Sequence, residues 1–155
     1  MKEDIHLTVA AVVQRDGRFL CVEERADGAL RINQPAGHLE AGESLSEGVV
    51  RETLEETAYA FEPEAVLGIY RWRHPLKGIT YVRIAFVGSV GSVGVCPSDR
   101  ALDEGIERAV WLTPHEIRAR RAEHRSPLVM RCVEDYLAGH RFPLALLADV
   151  GGEFR

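Results

Sequence analysis

The sequence predicts an α/β (α+β) domain in which a mixed β-sheet is covered by helices, and three observations predict it. β-branched apolar runs fill the start and the middle of the chain, one capped helical stretch separates them, and two helices close it without regular βαβ alternation. The 155 residues, 46% apolar and 28% charged, exclude a disordered, collagenous or low-complexity chain. A chain this long buries roughly 70% of the surface its unfolded form exposes, so one core forms without metal or disulfide staples. With neither repeat nor linker in view, residues 1–155 read as a single domain.

Each element carries its own signal. Ile5 to Val13 and Phe19 to Glu23 are strand-like runs on either side of Asp16-Gly17, which reads as a β-hairpin. A second turn at Ala26-Asp27-Gly28 leads into Arg31 to Gly37, where Pro35 and Gly37 exclude a helix or central strand and predict a loop of fixed shape. Ser44-Leu45-Ser46-Glu47 has capping-box spacing, so a helix runs from Ser44 to about Ala60, and Pro63 marks a break. Val66 to Trp72 and Ile79 to Val90 are two further strands joined by a turn at 74–78, and Ala109 to Leu112 is a short one. Thr113-Pro114 starts a helix, with Thr as cap and Pro in the first position. The last helix runs from about Pro127 to Ala138 on a stripe of Leu128, Cys132, Val133, Tyr136 and Leu137, and Gly139 ends it.

A net charge of −5 argues against a binder of duplex nucleic acid, whose affinity rests on a basic footprint. Cys21, Cys96 and Cys132 are odd in number and far apart, so neither a disulfide framework nor a cysteine zinc site fits. The acidic start Met1-Lys2-Glu3-Asp4 is unlike a secretory leader, and no run approaches the roughly 18 apolar residues of a membrane span. The expected setting is a reducing cytoplasm, the expected partner a small molecule, and the expected state a monomer or homodimer.

The chemistry concentrates on the first helix. At 100° per residue Glu52, Glu55 and Glu56 share an arc of about 100°, with Val50 and Leu54 on the opposite, core-facing side. Like charges at these spacings repel by a few tenths of a kcal/mol per pair, and they sit in the helical half where the macrodipole prefers cations. A hard divalent cation with oxygen ligands, such as Mg²⁺, removes the conflict. A Glu-rich face taken alone is usually a solvated one, so spacing must carry the argument.

Gly37, Glu43, Arg51, Glu52, Glu55 and Glu56 supply that spacing. They resemble the Nudix box, G-x5-E-x7-R-E-U-x-E-E-x-G-U with U a bulky aliphatic residue; six fixed positions match by chance at any one start with a probability on the order of 10⁻⁷. Thr53, Ala58 and Tyr59 depart from the pattern at positions that hold no metal in the family, so they bear on packing at the helix end. Further stretches, Asn33 to Glu40, Arg125 to Val129 and Tyr136 to Leu144, resemble the NudJ-type phosphatase branch of the family.

The resemblance implies an α/β/α sandwich around a mixed sheet and Mg²⁺- or Mn²⁺-dependent hydrolysis of phosphoric anhydrides. In the branch these are nucleoside tri- and diphosphates, hydroxymethylpyrimidine diphosphate and thiamine diphosphate. It implies Glu52, Glu55 and Glu56 as catalytic metal ligands, with a backbone carbonyl from Gly37. Glu52 is alternatively the group that orients or deprotonates water, and Arg51 holds Glu43, Glu47 or Glu55 in place. A further acidic ligand is expected from the loop before the last strand, with Glu107 favoured over Glu104 and Asp103. For the substrate the candidates are Arg83 and Trp72 first, then Gln34 and His38, with Arg71, Arg73, Lys77 and His124 behind them. Gly91 to Gly94 lacks the ending of a phosphate-binding loop. Two other readings remain: a MutT-like pyrophosphohydrolase, and a nucleotide-binding module without catalysis.

Overall fold

In the computed structural model, which describes residues 3–91 and 102–151, the chain builds two sheets. The strands are β1 (Asp4–Val12), β2 (Gln14–Arg15), β3 (Arg18–Ala26), β4 (Ala29–Asn33), β5 (Ala36–His38), β6 (Phe61–Arg73), β7 (Ile79–Val90) and β8 (Ile106–Leu112). The helices are α1 (Leu45–Thr57), α2 (Pro114–Ala119) and α3 (Leu128–Leu137). The first sheet has the order β5-β1-β7-β6 and is mixed, because β1 and β7 run parallel while the other pairs are antiparallel. The second is antiparallel, with β3 paired to β2, β4 and β8.

Alternation along β1 divides the core in two. Val9, Ala11 and Val13 pack with Val49 of α1, whereas Ala10 and Val12 pack with Leu128, Cys132 and Val133 of α3. Helices thus cover both faces of the mixed sheet. Among the described residues no helix is long and apolar enough to cross a membrane.

Several expectations need correction. The hairpin at Asp16-Gly17 forms, with both turn residues at positive φ as its twist requires, yet its arms are only Gln14–Arg15 and the start of β3. β1 leaves it for the other sheet, because residues Val9 to Val13 are apolar on both faces and fit a central strand. The expected loop at 31–37 is mostly strand: β4 extends to Asn33, and β5 starts at Ala36 as an edge strand. Pro35, without an N–H, still offers its carbonyl to Ala11 at 2.9 Å. Pro63 does not break the chain before β6 but lies within it, on an edge strand and at a register shift. On α1 the buried apolar side is Val49 and Thr53, whereas Val50 and Leu54 are only half-buried. Glu52 and Glu56 are buried as well, so the anionic side is not a solvated face. Cys21 and Cys132 are free and buried, while Cys96 and residues 92–94 lie outside the described residues.

Candidate active site

The site starts at the N-terminus of α1. Ser44 Oγ accepts the Glu47 N–H at 3.1 Å and Glu47 Oε1 accepts the Ser44 N–H at 3.0 Å, a complete capping box that sets the helical phase of Arg51 and the glutamates beyond it. Glu47 is thereby engaged at the cap and does not meet Arg51. Arg51 instead donates to both oxygens of Glu43 at 2.6 and 2.8 Å, to Glu52 at 2.8 Å, to Glu55 at 3.1 Å and to the His38 carbonyl at 3.0 Å. The guanidinium holds the Glu43 carboxyl far down, at about 2. Arg51 therefore ties the loop before α1 to the carboxylates on it.

Glu52, Glu55 and Asp103 each bring one carboxylate oxygen into a group whose atoms all lie within 4.8 Å of one another. Asp103 is fastened there by its own N–H, which donates to the Glu55 carbonyl at 3.0 Å. Gly37 faces Glu52 so closely that a Cβ would lie 2.2 Å from its carboxyl carbon, so any side chain there would displace the Glu52 carboxylate. Glu56 stands apart, buried, with Oε1 accepting the Ala36 N–H at 2.8 Å. Burial pushes its pKa up to about 9, and burial also raises that of Glu52 against the pull of Arg51. Hard oxygen donors, crowded and partly desolvated, form a donor set that suits a divalent cation.

The loop before β8 thus contributes Asp103, where Glu107 was the favoured expectation. Glu107 accepts from Arg25 Nε at 2.9 Å on an exposed surface and lies outside the group, as does Glu104. Three acids within five residues, two in the loop and Glu107 already in β8, carry no period, and it is the backbone bond to Glu55 that selects Asp103.

A cleft of about 870 Å³, walled by both sheets and the segment before α3, reaches Gly37 but is lined by none of these carboxylates. Trp72 and Tyr81 stack on its wall, with ring centroids 5.7 Å apart and planes 18° apart. His38 is on the wall too, 2.9 Å from the His6 ring nitrogen, and burial and His6 hold its pKa below the usual range. Arg83 lies at the floor, 4% exposed. Gln34 is not on the wall: its Nε2 donates to the Val129 carbonyl at 2.8 Å and its Oε1 accepts from Arg83 at 2.9 Å. Strand alternation turns Arg71 and Arg73 to the opposite face from Trp72, and Arg73 pairs with Glu3. Lys77 reaches the wall and pairs with Asp27 at 3.2 Å, and His124 meets the Ile117 carbonyl at 2.8 Å.

Residues 4–132 match the NUDIX domain family. The chain belongs to the Nudix family. It is 37% identical to the protein named Phosphatase NudJ of Escherichia coli strain K12 over 149 residues, which covers 96% of this chain and 94% of that protein. A NUDIX hydrolase structure from Nitrosomonas europaea superposes with a TM-score of 0.91 at 49% identity, over 97% of this chain and all of the other. A MutT NUDIX hydrolase from Burkholderia pseudomallei shares the fold at 20% identity, with a TM-score of 0.70 over 86% of this chain and 98% of the other. As a Nudix hydrolase the chain acts on phosphoric anhydrides of small molecules.

The departures from the Nudix box are absorbed locally. Thr53, buried, donates to the Val49 carbonyl at 2.7 Å, so its hydroxyl is satisfied. Tyr59 packs edge-on against Trp111 with the Arg15 guanidinium over both rings. Ala58, in place of the Nudix glycine, adopts the left-handed conformation at φ 63° to close α1.

Proposed function

We propose that this Nudix hydrolase is a phosphatase dependent on Mg²⁺, with Mn²⁺ as a substitute, that removes orthophosphate from nucleoside tri- and diphosphates and from thiamine-pathway diphosphates. The observation that carries the reading is the convergence of Glu52, Glu55 and Asp103, with Glu52 against Gly37, and Gly37 in turn lining a cleft with an aromatic wall and a buried arginine. The curated relatives, named phosphatases, support orthophosphate as the product.

Glu52, Glu55 and Asp103, together with the Gly37 carbonyl and Glu56, would hold the cation. When bound it neutralises phosphate charge and makes a water more acidic. The chain's residues do the rest. Arg51 fixes the rotamers of Glu52 and Glu55. Where Glu52 is left out of the cation's ligand set, it is the group that orients the attacking water and accepts its proton. The water oxygen forms the new bond to the terminal phosphorus, the bridging P–O bond breaks, and its electron pair leaves with the shortened substrate. Trp72 and Tyr81 stack on the ring of the organic half, Arg83 contacts phosphate oxygens, and His38 hydrogen-bonds the substrate from the wall. Gln34 acts by holding Arg83. The free, buried Cys21 and Cys132 suit the reducing cytoplasm to which we assign the enzyme.

The test is a screen of nucleotides and thiamine-pathway diphosphates with and without Mg²⁺, reading orthophosphate against pyrophosphate. Orthophosphate released only with the metal is expected, with kcat falling at least 100-fold in Glu52→Gln. Pyrophosphate as the product would make the enzyme MutT-like, no turnover would make it a binding module, and a fully active Glu52→Gln/Glu56→Gln double variant would remove the mechanism.

A further inference from the structure

Arg83 is a cation buried in the cleft floor with no ion pair among the described residues. Nη1 donates to Gln34 Oε1 at 2.9 Å and Nη2 to Asn33 Oδ1 at 3.0 Å, while Nε is buried and has no hydrogen-bond partner. A guanidinium only donates, so both amides must turn their oxygens to it. Gln34 is locked further, since its NH2 is used by Val129 of α3. The NH2 of Asn33, a cleft-wall residue, is left facing away from Arg83 and takes no protein acceptor among the described residues. Nη1 also meets the Cys132 thiol at 3.8 Å, so every partner of the guanidinium among the described residues is neutral and none cancels its charge. Leaving a buried charge uncompensated is unfavourable unless a ligand completes it.

We infer that Asn33 and Gln34 are specificity-determining residues that hold Arg83 rigid but uncompensated, so that Arg83 and the Asn33 NH2 form a seat for a substrate phosphate other than the one attacked. The inference rests on the phosphatase reading, and the strand register adds the place of the seat. Thr8 pairs with His38 on one side and with Arg83 on the other, so the Arg83 backbone lies two strand spacings, roughly 10 Å, from β5. Its side chain rises from the face opposite the one Gly37 turns to Glu52. The seat is therefore separate from the carboxylate group and grips a different part of the same substrate.

Asn33→Asp tests this, because the carboxylate keeps the bond to Arg83 and supplies the missing counter-charge from within. The full-length variant should melt no lower than wild type without ligand. The stabilisation that inorganic pyrophosphate in EDTA gives wild type should shrink at least threefold in it, and KM for a hydrolysed nucleotide should rise about tenfold with kcat within threefold. An unchanged pyrophosphate shift and KM would overturn the seat, since a merely structural Asn33 predicts both. If Asn33→Asp melts lower, Arg83→Met decides: loss of the pyrophosphate shift supports the seat and its persistence refutes it. Failure of the phosphatase reading shows separately, as wild type without turnover, and leaves the pyrophosphate measurement intact.

Discussion

Glu56 places a carboxyl where water does not reach, with one oxygen committed to the Ala36 N–H. Its pKa, 4.5 in an unperturbed glutamate, is pushed up to about 9. Between those values the folded chain keeps a proton that the unfolded chain has lost, so this group's contribution to stability falls as pH rises from about 4.5 and reaches its minimum above about 9. The penalty at pH 7 to 8 without metal is of the order of a few kcal/mol. Glu56→Gln, whose amide oxygen still accepts the Ala36 N–H, should therefore melt higher than wild type at pH 8 in EDTA and lose most of the decline between pH 5 and 8. Equal melting profiles would mean that Glu56 is ionised at little cost. Residues of this kind were legible in the sequence because helical spacing fixes their relative angles. Asp103 was only one of three candidates and ranked behind Glu107 and Glu104, since its place depends on one bond between a loop and the end of α1. Gln34's indirect role was not legible, since it arises from β4, β7 and α3 meeting.

At the scale of elements, the start of α1 was legible because the capping box at Ser44 writes it locally, whereas its end, expected near Ala60, falls at Thr57, with Ala58 in place of the glycine that would mark it. β1 was not legible, because the same apolar run serves equally as a hairpin arm and as a central strand. Only its partners β5 and β7, distant in sequence, decide between them. The C-cap of α1 is the weak point. Ala58 sits at φ 63°, where a Cβ crowds the backbone at a cost of about 1 kcal/mol, and its N–H still donates to the Leu54 carbonyl at 2.9 Å. Ala58→Gly removes the Cβ and keeps the bond. It should stabilise the chain by about 0.5–1 kcal/mol in chemical denaturation, less the entropy glycine adds to the unfolded state. A loss of stability would show that the Ala58 methyl packs usefully and that the departure from the Nudix glycine is an adaptation.

Across the whole molecule, the fold brings the loop before β8 against α1, so that Asp103 joins Glu52 and Glu55, while Glu56 is buried on the same helix. In a chain of net charge −5 this proximity opposes folding, and the burial that raises the proton affinity of Glu52 and Glu56 adds a separate desolvation cost. A ligand that binds the folded chain alone must then stabilise it by mass action, by about 2.7 kcal/mol at a concentration of 100 times Kd. For a domain of this size that corresponds to roughly 5–10 °C in melting temperature. Mg²⁺ added to wild type in place of EDTA should produce such a rise, and Glu55→Gln should lose most of it. Because protons and the cation compete for the same oxygens, the rise should be smallest near pH 5 and grow toward pH 8. A melting temperature indifferent to Mg²⁺ at pH 8 would show that Arg51 and the Asp103 backbone bond hold the acidic group without an ion, and it would take the cation out of the proposed reaction.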